Sequence, residues 1–185
     1  MSIAWYGNSG GRVRRARTSH AIGFVGSNYS LQFKCVPICT TILRHPDENL
    51  AKCTLEPLRQ RAELEFFEAS TAFQIDGTNM ILLEVGAPVL SAADAGRRLL
   101  LLDGNWKHVE FLRSRVVGTP MARSLPAIET AYPRRNRDGL DPQVGLASVE
   151  ALYLALKILG HDDPTLLDNY HWREEFLRRV AELKL

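Results

Sequence analysis

Leu99-Leu100-Leu101-Leu102-Asp103-Gly104-Asn105-Trp106 decides how the rest of the chain is read. Four consecutive leucines, with no polar alternation, describe a strand covered on both faces, as in a parallel sheet flanked by helices. The run stops at an acid, a glycine, an amide and an indole. Ligands of open parallel α/β sheets sit just beyond the carboxyl ends of the strands. An acid and a large aromatic three residues apart at that place can hold a cationic or flat ligand. A plainer role competes: Asp103 or Asn105 serves as the N-cap of a helix over residues 107–116.

Outward from this run the pattern alternates. Upstream, residues 33–43 read as a strand interrupted by Pro37, followed by the polar loop His45-Pro46-Asp47-Glu48-Asn49. Residues 50–61 are expected to be helical, with Thr54 as a cap and Pro57 in the first turn, where its missing N–H costs little. Residues 62–68 and 80–85 read as strands and residues 73–77 as a turn. Ser91-Ala92-Ala93-Asp94 resembles a capping box, with Asp in place of the usual Glu, and predicts a short helix closed by Gly96. Strand and helix alternating over residues 33–116 predict βαβ units, hence an α/β fold with a mainly parallel sheet and flanking helices.

After residue 116 the character changes. Residues 124–128 read as one last short strand, and residues 131–145 as a loop. Over residues 148–159, Leu152, Ala155, Leu156 and Leu159 fall on one helical face and Gly160 is a natural stop. Asp163-Pro164 opens another helix, and Trp172, Phe176, Val180 and Leu183 share a face of the last. The expected organisation is a basic arm over residues 1–31, holding a short strand at 21–25, an α/β sheet domain over 32–128, and an all-helical C-terminal lobe over 129–185.

The 185 residues are 45% hydrophobic and 24% charged with a net charge of +2, which is ordinary for a soluble globular chain. The positive charge is clustered. Arg12, Arg14, Arg15 and Arg17 lie in a first stretch of thirty residues with no acid, and Arg134, Arg135 and Arg137 lie in the later loop. Such clusters meet phosphates or simply form a solvated face. Cys35, Cys39 and Cys53 have no second metal-ligand pair and read as buried, reduced thiols of a cytoplasmic protein. His20, His45, His108, His161 and His171 are scattered without a paired metal motif, so no metal is expected. There is no glycine-rich phosphate loop and no nucleophile elbow. No apolar stretch reaches the length of a membrane span, so no membrane partner is expected, and the first residues lack the apolar run of a secretory leader.

Several short blocks occur in a telling order. They are His45-Pro46-Asp47-Glu48-Asn49-Leu50-Ala51-Lys52-Cys53-Thr54, Met80-Ile81-Leu82-Leu83, Leu90-Ser91-Ala92-Ala93-Asp94, and Leu101-Leu102-Asp103-x-x-Trp106. Arg123-Ser124-Leu125-Pro126, Leu146-Ala147-Ser148-Val149-Glu150-Ala151-Leu152 and Trp172-x-x-x-Phe176-Leu177 follow. Together they resemble the aminocarboxypropyltransferases that modify small-subunit ribosomal RNA, relatives of the DTW-domain transferases acting on tRNA. The resemblance spans residues 33–180.

The resemblance implies a deep trefoil knot like that of the SPOUT methyltransferases, completed by the helical lobe; default topology rules run against such a path. It implies S-adenosylmethionine as cofactor, attacked at its aminocarboxypropyl arm by a uridine or pseudouridine ring nitrogen. Asp103 then fits a general base or an electrostatic partner for the ring N–H. Trp106 fits an apolar wall whose face favours the sulfonium. By the same matching Thr54 lies near the ribose and amino-acid arm, and Leu83 and Val85 in the loop over the adenine. Leu125 offers a backbone amide at the adenine edge, and Leu146 and Ser148 form the last loop of the pocket. Each has a plain counterpart: Thr54 and Ser148 as caps, and Leu83, Leu125 and Leu146 as core.

RNA contact, in ribosomal RNA within a pre-ribosomal particle, is expected from Arg12, Arg14, Arg15, Arg17, Lys52, Arg134, Arg135 and Arg137 through phosphates, on a monomeric protein. The chain departs from the family at Val85, where the family has proline, and over residues 132–139, which replace an Asn-Pro-x-Asn-Tyr-Gly stretch. Two alternatives stay within enzymes, a tRNA-directed aminocarboxypropyltransferase and a knotted RNA methyltransferase. One of another class is a non-catalytic ribosome-assembly or RNA-binding factor.

Overall fold

The computed structural model describes residues 40–133, 145–183 and 185. In chain order the elements are β1 (Thr40–Arg44), β2 (Leu64–Glu68), β3 (Ile75–Asp76), β4 (Met80–Leu83), β5 (Arg98–Asp103), α1 (Val109–Ser114), β6 (Val116–Val117), β7 (Met121–Arg123), α2 (Ser148–Ile158) and α3 (Arg173–Glu182). Five strands form one sheet in the order β2-β1-β5-β4-β7, and β3 with β6 forms a small separate pair. All of these pairings are parallel. The parallel α/β expectation is met.

The leucine run lies at the centre of the sheet for the reason its sequence gives. Leu99 and Leu101 face one way, with Ile42, Ile81 and Leu83, into a cluster shared with Leu152, Leu156, Leu167, Phe176 and Val180. Leu100 and Leu102 face the other, with Leu43 and Leu82, against Leu112 and Val116. Thus α2 and α3 cover one face of the sheet and α1 covers the other. Truncating any of these leucines to Ala costs about 2–5 kcal/mol, because a close-packed centre cannot collapse onto the void.

Local geometry departs from the sequence expectations at several places. The predicted helix over residues 50–61 is a series of turns around a three-residue 3-10 helix, Glu56–Leu58. Pro57 supplies no N–H there, while Leu55 and Leu58 must both reach the core. The helix after β5 begins as a 3-10 turn, Trp106–His108, before α1. The last strand is β7 at Met121–Arg123 rather than residues 124–128, and Ser124 makes only an isolated bridge with Val89. Asp94 does accept the Ser91 N–H at 3.1 Å, but what it closes is a 3-10 turn, Ala92–Asp94.

Asp163 caps as expected, accepting the Thr165 N–H at 3.0 Å, again on a 3-10 turn, Pro164–Leu167. α2 fills the predicted span and stops at Gly160, whose φ of 91° is the left-handed value glycine tolerates. The arm over residues 1–31, Cys35 and Cys39, and most of the second arginine loop lie outside the described residues. Cys53 is a buried free thiol.

Candidate active site

Parallel strands bring all their carboxyl ends to one edge of the sheet, and two different constellations occupy it. The first joins β1 to β5. Their register sets Arg44 beside Asp103, and both side chains are withdrawn from solvent. Arg44 Nε donates to Asp103 Oδ2 at 2.8 Å, Nη2 lies 3.2 Å from the Cys53 sulfur, and Nη1 is paired with Glu56. The guanidinium also lies 4.9 Å from the Phe66 ring centroid. Burial alone would lower the Arg44 pKa; the Asp103 charge and hydrogen bond, with Cys53 and Glu56, together outweigh it and the net shift is upward. The Cys53 thiol donates to the same Asp103 oxygen at 3.4 Å. Burial first, then the Asp103 charge, pushes that thiol up to about 12, so it stays protonated.

Asp103 is neither a helix cap nor a side chain projecting past the strand. It is the last residue of β5 and fully buried. The expected cap is Asn105, whose Oδ1 accepts the Lys107 N–H at 3.0 Å. A general base open to a nucleobase is therefore not what this conformation presents: Arg44 and Cys53 hold one oxygen, and protein covers the carboxylate. The other oxygen, Oδ1, has no hydrogen-bond partner among the described residues. A buried polar atom left so costs about 1–3 kcal/mol and calls for an explanation.

The second constellation lies at the carboxyl ends of β4 and β7. An apolar pocket of about 190 Å³ is walled by Val85, Gly86, Leu125, Pro126, Gly145 and Leu146, among others. Backbone bonds bind the two strand-end loops together. Glu84 N–H donates to Arg123 O at 2.7 Å, Ser124 N–H to Pro88 O at 2.9 Å and Leu90 N–H to Ser124 O at 2.8 Å. Gly86 turns with φ 81°. Arg123 braces the rim through a two-pronged pair with Asp94 (Nε–Oδ2 2.9 Å, Nη2–Oδ1 2.8 Å). Hydrogen bonds from Arg123, helped by Ser91, hold the Asp94 carboxyl below its usual pKa against the opposing effect of burial.

The residues matched to a cofactor site divide accordingly. Val85, 40% exposed, and the nearly buried Leu125 and Leu146 wall the pocket. Leu83 is core beneath it. The Thr54 hydroxyl accepts the Val149 N–H at 3.2 Å and so caps α2 across the chain, and Ser148 is the buried first residue of that helix. Trp106 is half-buried, with the Lys107 ammonium 5.8 Å from its ring. Neither Asp103 nor Trp106 lines the pocket. Lys52 is exposed. Arg12, Arg14, Arg15, Arg17, Arg134, Arg135 and Arg137 lie outside the described residues.

Two features escaped the sequence. Glu150 is fully buried and accepts N–H groups of Ala147 and Ala131, each at 2.8 Å, together with the Thr130 and Tyr170 hydroxyls. Burial, then the Glu150 charge, drives the Tyr170 pKa upward. The only available signal was an acid in the first turn of an apolar helix. The other feature is an imidazole stack: His45 and His108 lie with ring centroids 3.6 Å apart. Burial, with help from the neighbouring His108, lowers the His45 pKa.

No protein-family model matches the chain, and no curated protein does. Among solved structures it is similar to the SAM-dependent rRNA:acp-transferase Tsr3 from Vulcanisaeta distributa. The TM-score is 0.61 at 23% identity, over 79% of this chain and 80% of that one. The two chains share a fold.

Proposed function

We propose that the chain transfers the 3-amino-3-carboxypropyl group of S-adenosylmethionine to a uridine or pseudouridine ring nitrogen of RNA, with ribosomal RNA as its substrate. One observation carries the reading. Val85, Leu125 and Leu146, which the sequence resemblance assigns to the loop over the adenine, the adenine edge and the last loop of the pocket, converge on one apolar pocket at the carboxyl edge, in a fold shared with an acp-transferase.

The residues present fit part of that cofactor. A pocket of about 190 Å³ is smaller than the roughly 300–1,000 Å³ of sites that enclose a whole small molecule. It suits a flat base held by apolar walls. The Trp106 ring is the quadrupole available to a sulfonium, which would take the place over the ring that the Lys107 ammonium holds at 5.8 Å. Asp103 is fully buried with Arg44 on Oδ2, and Oδ1 has no hydrogen-bond partner among the described residues, so a ring N–H would reach Oδ1 only when the protein covering the carboxylate opens. S-adenosylmethionine supplies an activated carbon, and the nitrogen that attacks it must lose its proton. Lys52 and the arginine clusters contribute phosphate contacts.

The same reading takes the chain through a SPOUT-like knot and makes it a monomer of the cytoplasm that meets its RNA in a pre-ribosomal particle. It also keeps the arm, sheet and helical-lobe division drawn from the sequence. No helix among the described residues is long and apolar enough to cross a membrane.

The complete burial of Asp103 favours a second reading, an RNA-binding assembly factor that kept the fold without turnover. Calorimetry with S-adenosylmethionine and an Asp103→Asn variant separate the two. The transferase reading expects saturable cofactor binding, kept within about threefold in the variant, together with loss of turnover. Absence of binding at cellular cofactor levels leaves the scaffold, and unchanged turnover in the variant removes Asp103 from the chemistry.

A further inference from the structure

We propose that His45, Asp47 and His108 form a binding site for a first-row divalent transition cation of the Zn²⁺ class, just beyond the carboxyl ends of β1 and β5. One ring nitrogen of each histidine and one Asp47 carboxylate oxygen lie within 4.8 Å of one another. None of its residues lines the apolar pocket, though His45 and His108 adjoin Asp103 and Trp106.

Adjacent parallel strands assemble it. His45 continues β1, its N–H donating to the Asp103 carbonyl at 2.9 Å. His108 closes the 3-10 turn that follows β5. Nδ1 of His45 accepts the Asp47 N–H at 3.1 Å, a bond that an ion on that nitrogen would have to displace, and the Asp47 carboxylate stands 4.0 Å from the same nitrogen. Nδ1 of His108 is buried with no partner among the described residues. Gly104 makes the approach possible. A Cβ there would crowd Leu112 Cδ1 at 3.1 Å and the His45 Cβ at 3.3 Å, with the His108 Cβ in ordinary contact at 3.8 Å. The Phe111 ring, 5.2 Å from His45 and edge-on, walls one side.

The donors also indicate the ion. Two imidazoles and a carboxylate suit Zn²⁺ and its neighbours rather than Mg²⁺ or Ca²⁺, which take oxygen ligands. Donors at about 2.0–2.2 Å from such an ion stand roughly 3.3–3.5 Å apart. The Asp47 side chain, 79% exposed, has room to rotate its carboxylate toward the rings. The rings are inclined by only 18°, so their in-plane lone pairs run nearly parallel and the ion must fan them apart. Three protein ligands leave a fourth position for water or an anionic oxygen.

The test uses the full-length chain, titrated with Co²⁺ while its visible absorption is followed, then with Zn²⁺ in competition, and with Mg²⁺ as the oxygen-seeking control. The expected result is one saturable equivalent, displaced by Zn²⁺ and not by Mg²⁺. Binding should weaken about 10-fold or more in Asp47→Asn and in His108→Ala. Asp47→Asn changes an exposed side chain, so it reports on the site without endangering the fold. Absence of a saturable equivalent overturns the proposal. So does binding that both variants leave within about twofold, since the ion would then sit on other histidines or thiols.

Discussion

The two ends of the same sheet edge are built on opposite principles. Beyond β1 and β5 the chain buries charge: Arg44, Asp103, Glu56 and a thiol interlock where β-register makes two strands neighbours. Beyond β4 and β7 it leaves an apolar hollow and keeps its ion pair, Arg123 with Asp94, at the rim. A buried pair is costly to desolvate and more costly to break, while a partly exposed pair is worth little. The first end is therefore expected to govern stability and orientation, and the second to govern what binds.

Arg44→Met is the harshest way to break that contrast. It leaves the Asp103 charge buried with no cation, only the Cys53 thiol beside it, and should cost about 3–5 kcal/mol in denaturant unfolding. A loss below about 1 kcal/mol would mean that the pair is not the anchor of this edge. Val85→Trp acts at the other end. It fills the hollow from an exposed position, so stability should stay within about 0.5 kcal/mol while S-adenosylmethionine binding weakens at least tenfold, about 1.4 kcal/mol. Unchanged affinity in calorimetry would remove the hollow from the cofactor site.

The smallest expected effect is on acid stability. Arg123 depresses the Asp94 pKa in the folded chain, so the pair's contribution is present above the unfolded value of about 3.9 and fades as pH falls below it. Asp94→Asn should flatten that part of the stability profile below about pH 4 and leave the profile at pH 6–8 unchanged in shape. A profile identical to that of the parent chain would show that the rim pair is already broken in solution.

Periodicity made much of the fold legible. Four leucines without alternation gave a central strand, and Leu152, Ala155, Leu156 and Gly160 gave a buried helix with its stop. Short elements were harder, because 3-10 turns such as Glu56–Leu58 and Pro164–Leu167 carry the same caps and prolines as true helices. The site was legible only in its apolar half. Val85, Leu125 and Leu146 could be matched one by one, but the partner of Asp103 is 59 residues away and depends on which strands pair and in what register. The same applies to His45 and His108, which no spacing rule joins. Glu150 looked like an ordinary first-turn acid until the chain folded four donors around it.

Transfer itself tests the account most directly. The protein is incubated with total RNA and S-adenosylmethionine labelled either in the carboxyl carbon or in the methyl carbon. The account predicts that carboxyl label enters RNA, that methyl label does not, and that the labelled fraction is ribosomal. Methyl label in RNA, or no label from either source despite measured cofactor binding, would contradict it.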